Sequence, residues 1–241
     1  MSFLKGVICF LLLILNTLFW CVFLLSLAVI KLIIPFESSK RIFTHLIILI
    51  GECWIFCNSL WIKAFHNPKW KVEGFEKLDK KNWYLSLANH QSWADIFILQ
   101  SITNRKIPML KFFMKDVLIW VPVIGLAWWA LDMPFLKRYS EEKIKRNPEL
   151  RGKDISSMKK SFTRFSRYPV SIFIFAEGTR FTKEKKDLQS SPFNNLLLPK
   201  PGGIGLTLST MPYINKMIDF SIKYESDKKT FWAFLCGEMN E

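Results

Sequence analysis

Histidine and acidic residues are scarce in this chain of 241: three His, and 20 Asp+Glu against 34 Lys+Arg. There is no Cys-x-x-Cys pair, no Cys/His spacing of the metal-ligand kind, and no internal repeat. Those absences exclude a repeat architecture and give no reason to expect a metal site. The five cysteines suit a reducing compartment. Cys9 and Cys21 fall in an apolar run, Cys53 and Cys57 sit one helical turn apart, and Cys236 is alone, so all five are expected as small buried hydrophobes. The shortage of acid leaves a net charge of +14, which admits a membrane surface or a nucleic acid as partner, but no nucleic-acid fold signature accompanies it. What is abundant is apolar: half of the residues, with 22 Phe and 10 Trp. That rules out a disordered, collagenous or low-complexity chain.

The grease and the charge are segregated. Gly6 to Ile30 carries no charged side chain. As a helix it would be roughly 37 Å long, enough to cross a hydrocarbon core of about 30 Å. A cleaved signal peptide is the bland alternative, but the run is too long for one and only Lys5 precedes it. A second apolar segment, Arg41 to Phe65, follows Pro35. It contains His45, Glu52 and Asn58, and its Trp54 and Trp61 suit an interfacial helix. Pro35 is expected to break the chain, giving a two-helix membrane hairpin over 1–66 that enters one leaflet or crosses the bilayer. Past residue 36, 32 Lys+Arg face all 20 acids, a net +12. A basic domain over 67–241 is expected on the cytoplasmic face, where anionic lipid lies.

That domain reads as α/β, with a central sheet flanked by helices. Strands are expected at Trp83–Ala88, Pro169–Ala176 and Ile218–Tyr224, each leading into polar or Gly-containing residues. Helical patterns at Ile96–Ser101 and Ile155–Arg167 alternate with them. In such sheets ligands collect where strands end. Lys137–Arg167 holds eleven basic and four acidic residues, half of the net charge. It is either a solvated helical surface or a face for anionic headgroups or a phosphorylated substrate.

Three motifs lie at strand ends or turns. In Asn89-His90-Gln91-Ser92-Trp93-Ala94-Asp95, five residues separate His90 from Asp95. On a continuous helix they would stand about 140° apart, so they meet only if His90 sits in the turn before it. Ser92 supplies that break as an N-cap, and Asp95 three residues on completes a capping-box pattern. Asp95 therefore caps a helix, holds the imidazole in one tautomer, or does both; in the second case His90 could take a proton from a hydroxyl. His45 and His66 have no such context and read as structural or surface. In Phe175-Ala176-Glu177-Gly178-Thr179-Arg180, Gly178 permits a sharp turn, Arg180 offers a fork suited to phosphate, and Glu177 could accept from a sugar or glycerol hydroxyl or orient Arg180. An ion pair on a tight turn is the structural alternative. Leu198-Pro199-Lys200-Pro201-Gly202-Gly203-Ile204-Gly205 opens into a helix whose N–H groups could hold an oxyanion or phosphate.

In this order the blocks NHQSWAD, FAEGTR and LPKPGG resemble the glycerolipid acyltransferase superfamily, the PlsC-like 1-acylglycerol-3-phosphate acyltransferases. Lys115, Pro122–Gly125 and Phe135-Leu136-Lys137-Arg138 look like that family's second block, and the likeness runs from about Trp83 to Tyr224. Trp120-Val121-Pro122 with Phe175–Thr182 looks most like the YihG and lysocardiolipin acyltransferase subgroup. The resemblance implies the glycerolipid acyltransferase fold and an O-acyltransferase. It would move a fatty acyl group from acyl-CoA or acyl-carrier protein to the 2-hydroxyl of 1-acylglycerol 3-phosphate, making phosphatidic acid. His90 would be the base and Asp95 its partner. Glu177, Gly178, Thr179, Arg180, Arg138 and Lys115 would bind the acceptor, and Pro201, Gly202 and Gly203 would form an oxyanion or acyl-site loop. No cofactor, metal or nucleic acid is implied, and the expected place is a bacterial inner membrane with the catalytic domain cytoplasmic. Another lysophospholipid or glycerol 3-phosphate is the nearer alternative acceptor. A non-catalytic basic membrane adaptor is the rival of another class. The anchor would hold the site at bilayer depth, so its removal should hurt turnover of bilayer substrate more than of detergent-dispersed substrate.

Overall fold

Two apolar runs that end in polar turns become neighbouring strands at the centre of a parallel sheet. The structure, a computed structural model, describes residues 2–136, 146–147 and 162–239. Strand β1 (Tyr84–Ala88) pairs on one side with β5 (Ser171–Phe175) and on the other with β6 (Lys216–Phe220). β2 (Leu110–Phe112) lies beyond β5, giving the order β2-β5-β1-β6 with every pairing parallel. β3 (Met114–Lys115) and β4 (Phe135–Leu136) form a separate two-stranded ribbon.

Alternate residues of the central strands feed two cores, as a sheet covered on both faces requires. Leu85 and Ile172 pack with Phe162, Phe165, Met211 and Ile214. Tyr84, Ala88 and Phe173 pack on the other face with Leu99, from helix α3 (Ala94–Thr103), and with Ile107 and Phe220. β1 and β5 thus end side by side, Ala88 opposite Phe175, and both chains leave the sheet at the same edge.

The third strand begins and ends earlier than Ile218–Tyr224, at Lys216–Phe220. The reason is the length of its single partner: β1 stops at Ala88, opposite Phe220. Beyond it, the Asn89 side chain takes over the pairing, donating to Ile222 O at 2.8 Å and accepting from Ile222 N at 2.7 Å. The expected helix Ile155–Arg167 falls mostly outside the described residues, as does most of the Lys137–Arg167 charge cluster.

Helices α1 (Ser2–Ile33) and α2 (Glu37–His66) form a hairpin broken at residues 34–36, and each is long and apolar enough to cross a membrane. The hairpin packs along the α/β domain at both ends. Near the start of α1, Cys9 shares a core with Trp61, Ile62, Ala94, Ile98, Tyr224 and Phe234. Gly6 fits there because an added Cβ would lie 2.6 Å from Cys236 Sγ. Near its end, Cys21, Leu24 and Ala28 pack with Ile47 and with Ala127 and Ala130 of α4 (Ile124–Ala130). Asn58 and Glu52 of α2 are buried against protein. Asn58 Oδ1 accepts from Asn16 Nδ2 at 2.8 Å and Trp61 Nε1 at 3.0 Å, while Glu52 receives Lys80 at 2.7 Å. Leu11, Leu15, Phe19, Phe23, Ile33 and Phe36 instead form a broad exposed apolar face. Cys9, Cys21 and Cys236 are buried, whereas Cys53 and Cys57 are only half-buried.

Candidate active site

His90 leaves the sheet one residue beyond Asn89, and its backbone is fixed from both sides. Its N–H donates to Glu177 Oε1 at 2.9 Å, and its carbonyl accepts from Phe181 N at 2.7 Å. The imidazole stacks on Phe175 with ring centres 3.7 Å apart, and Trp93 stands edge-on 6.4 Å away.

The turn at Ser92 brings Asp95 back to it. Asp95 Oδ2 accepts from His90 Nδ1 at 2.8 Å, from Gln91 N at 2.7 Å and from Ser92 N at 3.1 Å. Ser92 Oγ accepts from Ala94 N at 3.2 Å. One carboxylate therefore fixes the turn leading into α3 and orients the imidazole; the N-cap position itself falls at Trp93, one residue past Ser92, and takes no side-chain cap. The other oxygen, Oδ1, accepts from the Tyr224 hydroxyl, and Asp95 is fully buried. Burial, and then the neighbouring carboxylate, push the Tyr224 phenol well above its ordinary range, so it remains a donor. Asp95 is the acceptor in all four bonds. Nδ1 is accordingly the protonated ring nitrogen and Nε2 carries the lone pair. Nε2 makes no hydrogen bond among the described residues and is not sealed from solvent. A base with an open lone pair and a buried anion behind it can take a proton from a hydroxyl placed in front.

Glu177 is spent on the backbone. Its Oε2 accepts from Leu197 N at 2.7 Å, so the carboxylate ties the β1 turn to the loop before Pro199, and it forms no ion pair with Arg180 among the described residues. Gly178 turns the chain with φ +69°, and an added Cβ would come within 3.0 Å of Lys200 Cδ. Thr179 Oγ1 accepts from Lys185 Nζ at 2.9 Å. Arg180 is exposed, and its guanidinium lies over the Trp93 ring, 5.1 Å from its centre. A cation thus stands one ring away from His90.

Pro201 begins the helix Gly202–Thr210, which is drawn to the β5 exit by Lys200 N donating to Ala176 O at 2.8 Å. Gly203 packs toward Ile174. Lys115 is exposed at the end of β3, past the same edge of the sheet, with no contact to His90. Arg138 lies outside the described residues. His45 is exposed, and His66 is a buried structural residue whose Nε2 meets Leu235 O at 3.0 Å. Trp93 and Phe175 stand inside the motifs, but as apolar residues they carry no chemical signal of their own. Tyr224 carried no local signal, being 129 positions from Asp95.

A parallel α/β domain thus carries a His–Asp pair where two adjoining strands end. The model of the Acyltransferase family matches residues 69–214, and the chain belongs to that family. It is 25% identical over 212 residues to 1-acyl-sn-glycerol-3-phosphate acyltransferase 3 of Arabidopsis thaliana, covering 81% of this chain and 53% of that protein. To 1-acyl-sn-glycerol-3-phosphate acyltransferase delta of Bos taurus it is 25% identical over 167 residues, 64% of this chain and 41% of that one. It therefore spans about half the length of the curated relatives it matches. Among solved structures it is similar in fold to the 1-acyl-sn-glycerophosphate acyltransferase PlsC of Thermotoga maritima. The TM-score is 0.56 at 14% identity, over all of this chain and 95% of that one.

Proposed function

We propose that this chain is a membrane-bound 1-acylglycerol-3-phosphate O-acyltransferase, using acyl-CoA or acyl-carrier protein as donor and making phosphatidic acid. The observation that carries the reading is His90, held by Asp95 through Nδ1 with Nε2 open at the edge where β1 and β5 end. Nε2 takes the proton of the acceptor's 2-hydroxyl as that oxygen attacks the thioester carbon. The tetrahedral intermediate then collapses, the carbon–sulfur bond breaks, and the proton on His90 passes to the departing thiolate. Asp95 balances the imidazolium in between. Among the described residues no serine stands with a partner base, so direct transfer without an acyl-enzyme is the economical route. Arg180 with Thr179, Lys115 and Arg138 would hold the acceptor's phosphate and glycerol, Gly178 lets the turn approach them, and Pro201, Gly202 and Gly203 would shape the oxyanion or acyl site. Glu177 supports His90 from its main chain.

The hairpin supports a membrane setting. Because α1 is packed against the domain near both ends, the pair would lie along the surface of one leaflet with its exposed apolar face inserted. The basic charge of the domain supports the cytoplasmic leaflet of a bacterial inner membrane, the expected location.

His90→Ala tests the proposal. It should abolish release of free CoA from acyl-CoA and lysophosphatidic acid while the protein still folds and binds membranes. Near-normal turnover would sink the base assignment. Wild-type membranes offered a panel of lysolipids, including monolysocardiolipin and glycerol 3-phosphate, report the acceptor. Lipid binding without any thioester consumption would favour the adaptor.

A further inference from the structure

At the far end of the sheet from His90, the hairpin turn and the domain line a cavity of about 490 Å³. This is within the range of about 300–1,000 Å³ typical of ligand sites. Tyr168, just before β5, lines it, whereas His90 follows the opposite end of β1, so a sheet of five-residue strands, about 16 Å, lies between the two.

Its walls carry five cations: Lys31, Lys40, Arg41, Arg164 and Arg167. The last two belong to the described part of the Lys137–Arg167 charge cluster. Among the described residues two carboxylates answer them. Asp132 is shared between Lys31 at 3.4 Å and Arg164 at 3.3 Å, and Glu37 between Lys40 at 3.3 Å and Arg167 at 2.6 Å. Arg41 has no carboxylate partner among the described residues. Among the described residues the cavity therefore holds more positive charge than it neutralises.

Thr44, His45, Thr163 and Tyr168 add polar groups to the lining, and its remaining residues are apolar. Ala28, Leu32, Trp129 and Ala130 border the cations, and the hairpin turn beside them exposes Leu32, Ile33 and Phe36 by 66%, 75% and 70%. Cations set against an apolar wall at the tip of a membrane hairpin match an amphiphile with a phosphate at one end. A free phosphate would use only half of such a site.

We propose that this cavity binds the phosphate-bearing headgroup of an anionic phospholipid, whose acyl chains lie along Leu32, Ile33 and Phe36. It would be a lipid site separate from the substrate site, fixing the second end of the molecule on the bilayer. The choice of lipid over soluble phosphate rests on the membrane placement proposed above; the pocket itself does not depend on what His90 does.

The test is thermal unfolding of the full chain in neutral detergent, with phosphatidylglycerol, phosphatidylcholine or inorganic phosphate added. Phosphatidylglycerol should raise Tm saturably, and the other two should not. The combined variant Arg41→Gln, Arg164→Gln, Arg167→Gln should lower the phosphatidylglycerol affinity by about tenfold or more. Arg41→Gln alone, which breaks no ion pair among the described residues, should lower it severalfold and keeps the test usable if the triple variant folds poorly. Lys71→Gln, Lys77→Gln, Lys81→Gln removes the same charge from exposed sites elsewhere and should leave it unchanged. Equal weakening by that control would reduce the effect to diffuse charge and overturn the site. So would an unaltered shift in the arginine variants. Equal protection by inorganic phosphate or by phosphatidylcholine would overturn the anionic lipid as ligand. Because binding is the readout, none of these outcomes depends on acyl transfer, and loss of turnover in His90→Ala leaves them intact.

Discussion

Asp95→Asn isolates the charge behind His90 from the geometry around it. Three donors converge on Oδ2: His90 Nδ1, Gln91 N and Ser92 N. An asparagine amide nitrogen cannot face three N–H groups, so its oxygen takes that position and its nitrogen turns toward the Tyr224 oxygen, which can accept. His90 thus keeps its tautomer and orientation, and what disappears is the negative charge that stabilises the imidazolium. Two unit charges about 4 Å apart at an effective dielectric of about 20 interact by about 4 kcal/mol. The amide dipole retains part of that, leaving a loss of about 2–4 kcal/mol, or about 30- to 1,000-fold in kcat. The assay is CoA release in mixed micelles at saturating lysophosphatidic acid, with the acceptor KM measured alongside and expected to change little. Turnover within about threefold of wild type would refute charge balancing by Asp95. A large rise in KM with unchanged kcat would move the residue from the reaction to binding.

Arg180→Ala removes the cation stacked on Trp93 and should raise the acceptor KM about tenfold or more, as expected for a charged contact to phosphate; a raised donor KM with the acceptor unchanged would place Arg180 on the thioester side. Gly178→Ala forces a side chain into φ +69° beside Lys200 and should cost about 1–2 kcal/mol of stability, read as a lower urea midpoint. An unchanged midpoint would contradict the turn geometry. Lys111 is buried on β2 with its ammonium donating to Leu131 O, and burial pushes its pKa down from 10.5 to about 8. The unfolded chain thus holds one more proton between those values. Stability should be lowest below about pH 8 and climb by up to about 3 kcal/mol toward pH 10.5. Lys111→Met should flatten that climb in pH-resolved denaturant titrations, and a wild-type slope in the variant would refute the assignment.

The central strands were readable because β1 and β5 are apolar runs that stop at polar motifs, and a buried parallel strand has that pattern. β2 was not: its middle residue is a lysine, buried only because Leu131 O lies within reach of its ammonium. β3 and β4, two residues each, have no periodicity to detect. The His90–Asp95 contact followed from spacing and the Ser92 break, since capping is local. Tyr224 could not be found that way, because its contact with Asp95 is made by the fold. Glu177 was legible as important, and its partners were not. They are the N–H groups of His90 and Leu197, and a backbone donor leaves no mark in composition.

The hairpin's shared core bears on how this protein can be made soluble. Amputating the first 66 residues would uncover Ala94 and Ile98 on α3, the helix that carries Asp95, together with Tyr224, which bonds it. Such a fragment should lose turnover in detergent as much as on bilayers, so truncation is a poorer probe of membrane positioning than the sequence suggested. Recoding serves better: polar residues at the outward positions Leu11, Leu15, Phe19 and Phe23 leave Cys9, Cys21, Leu24 and Ala28 in place. The anchor then becomes an ordinary surface helix, and the catalytic wall it supports stays standing.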